Sequence, residues 1–265
     1  DPEDVDRLGI EVVPHTVLWD GVGYLDRVDI DIDEFYRRLR EERGTPRTSQ
    51  PSVGQFESAY RRVLEDADGI LSLHVSSRLS GTCSTAELAA RNVAPDRIVV
   101  LDSTTITGCL GMLATRVARM GLEGASLEEC VSLAEALIPR LRLFIVLDTL
   151  EFLRRGGRIG RVQAIAGSLL SIKPIIQVLG GVFLPVDRVR TRAAAVRRTA
   201  RLIESLGPVE EVLVQYGDNP DPARLLLHLI QEALPGVKLG LGRTGPACGT
   251  HGGPGVFGAS VLLAR

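Results

Sequence analysis

From residue 31 to residue 147, short apolar runs alternate with capped helical segments, and this alternation restricts the fold more than any other feature of the chain. Asp31 with Glu34 reads as a capping box opening a helix that runs to about Glu41. Ser52 with Gln55 is a second box, followed by Val53, Phe56, Tyr60, Val63, Leu64 and Ala67 on one helical face. Asp68-Gly69 breaks that helix, and residues 70–75 read as a buried strand. The cycle then repeats. A helix is predicted near 85–92, a strand at 97–101 and a helix over 108–120. A helix capped by Ser126 with Glu129 follows, then a strand at 143–147. Apolar strands each followed by a helix predict a mostly parallel sheet covered on both faces.

Beyond residue 150 the pattern changes. Residues 165–170 read as helical, with Pro174 ending the helix. Residues 175–179 and 182–185 flank Gly180-Gly181, a hairpin signal. An Arg- and Ala-rich helix covers about 192–206, then come a strand at 211–216, a helix at 222–234 and strands at 238–242 and 256–263. The predicted fold class is α/β with two α/β domains. Residues 1–150 carry the mostly parallel sheet, and residues 151–265 carry a mixed one.

A chain of 265 residues can build two such cores. Lys+Arg 31 against Asp+Glu 33 gives a net charge of −2, with no basic excess for nucleic acid. Aromatic residues, at 4%, are too few for base-stacking platforms. The four cysteines, at 83, 109, 130 and 248, form no CxxC pair and no zinc spacing, so no metal is expected. Unpaired, mostly buried thiols point to a reduced, cytoplasmic protein. There is no transmembrane run and no signal-peptide pattern. The chain opens on Asp1-Pro2 without an initiator Met, as if residues preceded it.

Three loops carry the candidate chemistry. Residues 48–52 (Thr48-Ser49-Gln50-Pro51-Ser52) precede a capped helix, and residues 76–82 (Ser76-Ser77-Arg78-Leu79-Ser80-Gly81-Thr82) follow a buried strand. In an open parallel sheet, ligands bind at the carboxyl ends of strands. Both loops offer hydroxyls and N–H groups near helix starts, which suits an anion, although such residues are ordinarily only N-caps. The third loop, residues 249–255, holds His251 among glycines, where backbone approaches a ligand closely. His74, in an apolar strand, reads as a hydrogen-bonded core histidine, and His15 and His228 carry no neighbouring signal. Arg154, Arg155 and Arg158 around Gly156-Gly157 are either a solvated face or a surface for an anion or a partner. No Walker loop occurs.

Six blocks in this order resemble the DegV family of bacterial fatty-acid-binding proteins: RTSQPSVGQF, SSRLSGTCSTA, VLDSTTITGCLG, LDTLEFLRRGGRIG, LLSIKPIIQVLGG and GTHGGPGVFG. The resemblance spans nearly the whole chain. It implies two α/β domains with a long-chain fatty acid between them. The protein would be the acyl-binding subunit of a bacterial fatty acid kinase, not itself an enzyme and without a cofactor. A separate kinase would phosphorylate the bound carboxylate for phospholipid synthesis, and the protein would touch membranes transiently to collect its ligand. Carried over by motif, Thr48 and Ser80 would bind the carboxylate and His251 would support them. Ser49, Ser77, Gly81, Thr82, Gly252 and Gly253 would complete the supporting loops, and Arg155 and Arg158 would dock the kinase or steady the phosphate. The family's opening strand, ending in an Asp-Ser turn beside the ligand, has no counterpart here, so the natural chain is expected to carry one more strand.

Physical chemistry is compatible with this role. Burying about fifteen methylenes at about 0.8 kcal/mol each gives a gross gain of roughly 12 kcal/mol, from which ordering costs are subtracted. Residues 106–113 and 164–179 are apolar enough either to line a tunnel or to fill a core. The alternative reading is a serine hydrolase with Ser80 as nucleophile, His251 as base and Asp102 as orienter, although the GxSxG elbow is absent. A phosphate-binding enzyme is a third class, without a carboxylate cluster for Mg²⁺.

Overall fold

A computed structural model describes residues 2–42, 44–165 and 172–265. A short helix, α1 (Pro2–Arg7), leads to a hairpin of β1 (Thr16–Trp19) and β2 (Val22–Leu25). Trp19 pairs with Val22 across Asp20-Gly21, whose φ values of 50° and 84° give the two-residue turn that matches strand twist. This hairpin is absent from the expectations above, yet Asp-Gly between apolar residues is its signal. Helix α2 (Ile32–Glu41) starts where Asp31 accepts the Glu34 N–H at 2.8 Å. The reciprocal half of that predicted box does not form, because the Glu34 carboxylate is taken by Arg37. Strand β3 (Arg47–Ser49) then pairs antiparallel with β1, so Thr48 and Ser49 lie on a strand and not in a loop.

The predicted alternation follows. Helix α3 (Val53–Val63) has the full Ser52–Gln55 box and buries Phe56, Ala59 and Tyr60. Strand β4 (Ile70–His74), helix α4 (Thr82–Val93) and strand β5 (Ile98–Asp102) form a parallel βαβ unit, with Ile70 beside Ile98 and His74 beside Asp102. Helix α5 (Thr107–Leu122) and helix α6 (Leu127–Leu137), the latter with the Ser126–Glu129 box, lead to β6 (Leu141–Val146) and helix α7 (Glu151–Arg155).

The predicted helix at 165–170 falls mainly on residues 166–171, outside the described residues. Pro174, expected to end that helix, lies inside a strand. It is the second residue of β7 (Lys173–Leu179), next to a register shift at Ile175/Ile176, where a missing N–H is tolerated. Strand β8 (Val182–Val189) returns from β7 through Gly180 and Gly181, both at positive φ (57° and 81°), as the hairpin signal required. Helix α8 (Arg192–Glu204), strand β9 (Val209–Tyr216), helix α9 (Asp221–Ala233), strand β10 (Lys238–Arg243), helix α10 (Pro246–Gly252) and strand β11 (Phe257–Leu263) complete the chain.

The strands form three sheets: β2-β1-β3, the parallel pair β4-β5, and the mixed sheet β10-β9-β11-β6-β7-β8. In the mixed sheet β9 and β10 are parallel and the other pairs antiparallel. Alternation along its strands sorts two cores. Phe144, Val146, Val212 and Val214 face α8 and α9, which return Ala195, Val196, Ile203, Leu226 and Ile230. Leu143, Ile176 and Val178 point to the other face and join Trp19, Phe35, Tyr36 and Leu113. That second core ties the mixed sheet to the N-terminal elements. A smaller cluster around Phe56, Tyr60, Ala86 and Ile98 packs α3 and α4 on the parallel pair.

Candidate functional site

Segments remote in sequence converge on two hydroxyls. Thr48 lies on β3 opposite Val17, and its Oγ1 is 2.9 Å from Nε2 of His251, in the last turn of α10. Ser80 lies in the loop after β4. Leu79 and Ser80 N–H groups both donate to Ser76 O at 3.0 Å, which curls the loop, and the buried Ser76 hydroxyl donates to Gly181 O at 2.8 Å, which pins it to the β7–β8 turn. Ser80 Oγ is 2.7 Å from Thr82 Oγ1 at the start of α4. Gln50, two residues after Thr48, donates from Nε2 to Thr85 Oγ1 at 2.8 Å, so β3 and α4 meet. A side chain at Gly81 would lie 2.6 Å from Gln50 Oε1, so the Gln50 amide would have to shift to admit one.

Burial sets the state of His251. Its pKa is pushed down to about 4, first by burial and then by the charge of Arg158. Among the described residues its Nδ1 is buried without a partner, against Gly156. An orphaned N–H is rarer and costlier than an orphaned acceptor, so the proton belongs on Nε2. There it donates to Thr48 Oγ1 and leaves the threonine proton free to point elsewhere.

His74, with Nε2 2.8 Å from Ser72 Oγ, is the hydrogen-bonded core histidine expected from its strand, also held to about 4, by burial first. Both rings have folded-state values below the ordinary 6.5, so acid protonates the unfolded chain first. Their contribution to stability is complete above pH 6.5 and is lost as pH falls towards 4, by roughly 3 kcal/mol per ring. Urea titrations from pH 7 to 4.5 should show this fall, and His74→Gln should flatten it. An equal pH dependence in the variant would overturn the assignment.

Thr48, Ser80 and His251 border one cavity of about 1610 Å³, which also takes in Ser49, Gln50, Thr82, Arg158 and Gly252. Its apolar wall includes Ile106, Leu110, Leu143, Leu147, Ile176 and Phe183, so the 106–113 segment contributes lining as well as core. The volume exceeds the roughly 300–1,000 Å³ of ordinary ligand pockets. Part of it runs beside β4, whose every residue borders it and which pairs only with β5 among the described strands. Arg158 is held on this wall by two carbonyls, donating to Leu79 O at 3.2 Å and Gly156 O at 2.7 Å. Burial, with Asp26 second, pushes the thiol of Cys248 on the same wall up to about 11, outside the range of a nucleophile.

Other predicted residues lie elsewhere. Ser77, Gly81, Gly253 and Arg155 do not border the cavity. Arg155 is exposed and pairs with Glu151 one turn earlier. Gly253 closes α10 at φ +74° against the Phe152 ring, which joins the histidine segment to α7. Residues 249–252 belong to α10, not to a loop.

The hydrolase triad is not assembled. Ser80 meets Thr82 and not His251, no carboxylate among the described residues stands behind His251 Nδ1, and Asp102 is engaged by the Ser77 hydroxyl at 2.5 Å and the Thr104 N–H at 2.7 Å. Sequence reasoning missed His15, whose Nε2 lies 3.1 Å from Thr82 Oγ1 on the same wall. No local pattern marks it. Among the described residues, no group of three or more His, Cys, Asp or Glu could hold a metal ion, and no helix is long and apolar enough to cross a membrane.

Residues 1–264 match the family described as "Uncharacterised protein, DegV family". The chain belongs to the DegV family. A DegV domain-containing protein of Caldanaerobacter subterraneus is 36% identical over 261 residues, covering 97% of this chain and 93% of its own. Among solved structures, a DegV family protein from Thermus thermophilus described as binding fatty acid superposes with a TM-score of 0.92 at 32% identity, covering 100% of this chain and 95% of that one. DegV of Bacillus subtilis, described as a fatty acid binding protein, gives 0.89 at 28% identity, covering 99% and 95%. A protein from Eubacterium ventriosum described as binding a fatty acid, stearic acid, gives 0.89 at 27%, covering 99% and 94%. The DegV resemblance read from the six blocks is therefore established, and with it the α/β fold.

Proposed function

We propose that this protein binds a long-chain fatty acid in the cavity and presents its carboxylate to a separate fatty acid kinase for acyl-phosphate formation. The observation that carries the reading is the pairing of Thr48 with a neutral, half-buried His251 on the wall of a cavity otherwise rich in apolar side chains. Fatty acid bound to the Thermus relative supports it. Thr48 and Ser80 donate to the carboxylate, and His251 orients Thr48. Ser49, Thr82 and Gly252 line the same wall, while Ser77, Gly81 and Gly253 shape the loops behind it. Hydroxyl donors hold the carboxylate without quenching its nucleophilicity as a tight ion pair would.

The protein is a carrier, cytoplasmic, with no cofactor beyond its lipid and with transient membrane contact for loading. Residues 1–150 and 151–265 act as two units around the ligand, with β6 of the first built into the sheet of the second. Arg158 lies by the head group, and the exposed Arg155 belongs to the kinase-docking face.

Native mass spectrometry of protein purified from a bacterial host tests the reading. Mass increments of long-chain acids are expected, whereas only empty protein that takes up no added octadecanoate would overturn it. With a fatty acid kinase present, Arg155→Ala should leave uptake of the acid unchanged and slow phosphoryl transfer several-fold. Unchanged transfer would return Arg155 to a solvated role.

A further inference from the structure

We infer that His15 is a second positioning histidine of the head-group site, acting through Thr82 to turn the Ser80 hydroxyl proton towards the ligand. The inference rests on the proposed binding of a carboxylate and concerns a residue outside the six blocks.

The geometry is a chain of three groups. His15 precedes β1, where its carbonyl accepts the Asp26 N–H at 2.9 Å. Its Nε2 is 3.1 Å from Thr82 Oγ1, and Thr82 Oγ1 is 2.7 Å from Ser80 Oγ. All three residues border the cavity.

Hydroxyls donate once, so the proton direction along such a chain is shared. If His15 Nε2–H donates to Thr82 Oγ1, the Thr82 proton goes to Ser80 Oγ, and the Ser80 proton is left for the cavity. If Nε2 instead accepts, Thr82 spends its proton on the ring, Ser80 donates to Thr82, and Ser80 turns a lone pair towards the ligand. A carboxylate, which only accepts, is held by the first arrangement and repelled by the second. The Thr82 N–H also donates towards Ser80 Oγ, at 3.4 Å, which favours Ser80 as acceptor from its own loop and donor to the cavity. Burial lowers the pKa of His15, so it works as a neutral dipole and not as a counter-charge. The site is thereby doubled: Thr48 is backed by His251 and Ser80 by His15 through Thr82.

The test compares octadecanoate with octadecan-1-ol. The alcohol both donates and accepts, so it tolerates either direction of the Ser80 proton. His15→Leu should lower affinity for octadecanoate about tenfold, the scale of one hydrogen bond to a charged group, and leave affinity for the alcohol within about twofold. His15→Gln, whose amide can still donate, should keep most of the wild-type acid-to-alcohol ratio. Thr82→Val should mimic His15→Leu, and the double variant should lose little more than either single one, because the groups act as one relay. Equal losses for acid and alcohol, or a wild-type ratio in His15→Leu, would overturn the inference while leaving the carrier function intact. A wild-type protein that binds neither ligand would overturn the proposed function and this inference together.

Discussion

Thr48→Val combined with Ser80→Ala should lower affinity for octadecanoate by about a hundredfold or more while the protein stays folded. In the proposed binding mode each hydroxyl donates one hydrogen bond to a charged acceptor, a contribution of about 1.5–3 kcal/mol. Two such bonds correspond to at least about two decades at 1.36 kcal/mol per decade. Valine keeps the β-branched shape that suits β3, and Ser80 lies in a loop, so neither change disturbs the sheets. The loss on the Thr48 side includes the contact with Nε2 of His251, which valine cannot keep. Displacement of a fluorescent fatty acid measures the effect, with octadecan-1-ol as the control for chain binding. Retention of octadecanoate within threefold of wild type would remove both residues from the head-group site.

Gly156→Ala is the second large effect. Gly156 has φ −76° and ψ −5°, a conformation open to any residue, so the requirement for glycine is steric. A Cβ there would lie 2.6 Å from Cε1 of His251. The ring cannot keep its 2.9 Å contact with Thr48 and also clear a methyl group. We expect stability to fall by about 1–3 kcal/mol, the usual scale of overpacking, and octadecanoate affinity to fall about tenfold as Thr48 loses its backing. Gly157→Ala separates this from a backbone effect: Gly157 has φ +72° and open space around its Cβ position, so it should lose stability through strain with less effect on the acid. Urea unfolding and the displacement assay read the two effects. A Gly156→Ala protein with wild-type midpoint and affinity would show that His251 is not held by α7.

Much of the fold was legible because its signals are local. The Ser52–Gln55 and Ser126–Glu129 boxes close within four residues, and both are present. The Gly180-Gly181 hairpin needs only two residues at positive φ. The segment before Asp31 was not read, because β1 and β2 hold four residues each and alternate only briefly. Strand β3 is shorter still and is defined by pairing with β1, so Thr48 looked like part of a loop. Pro174 can sit inside β7 because the exclusion of proline from strands is relaxed beside a register shift, which no residue type announces.

The site divides in the same way. The candidate hydroxyls and His251 could be named from ordered motifs, and the DegV family with them. Their connections could not be named. Thr48 and His251 are 203 residues apart, and His15 and Thr82 are 67 apart. Asp102 offered a plausible third member of a triad until the βαβ unit set it beside Ser77. The sequence by itself determined the helix caps, most of the strands, the family and the candidate hydroxyls with His251, because these depend on neighbours within a turn or two or on ordered motifs. Only the tertiary structure decided which hydroxyl leans on which histidine, since packing of β1, α4, α7 and α10 around one cavity sets those distances and no periodicity in the chain encodes them.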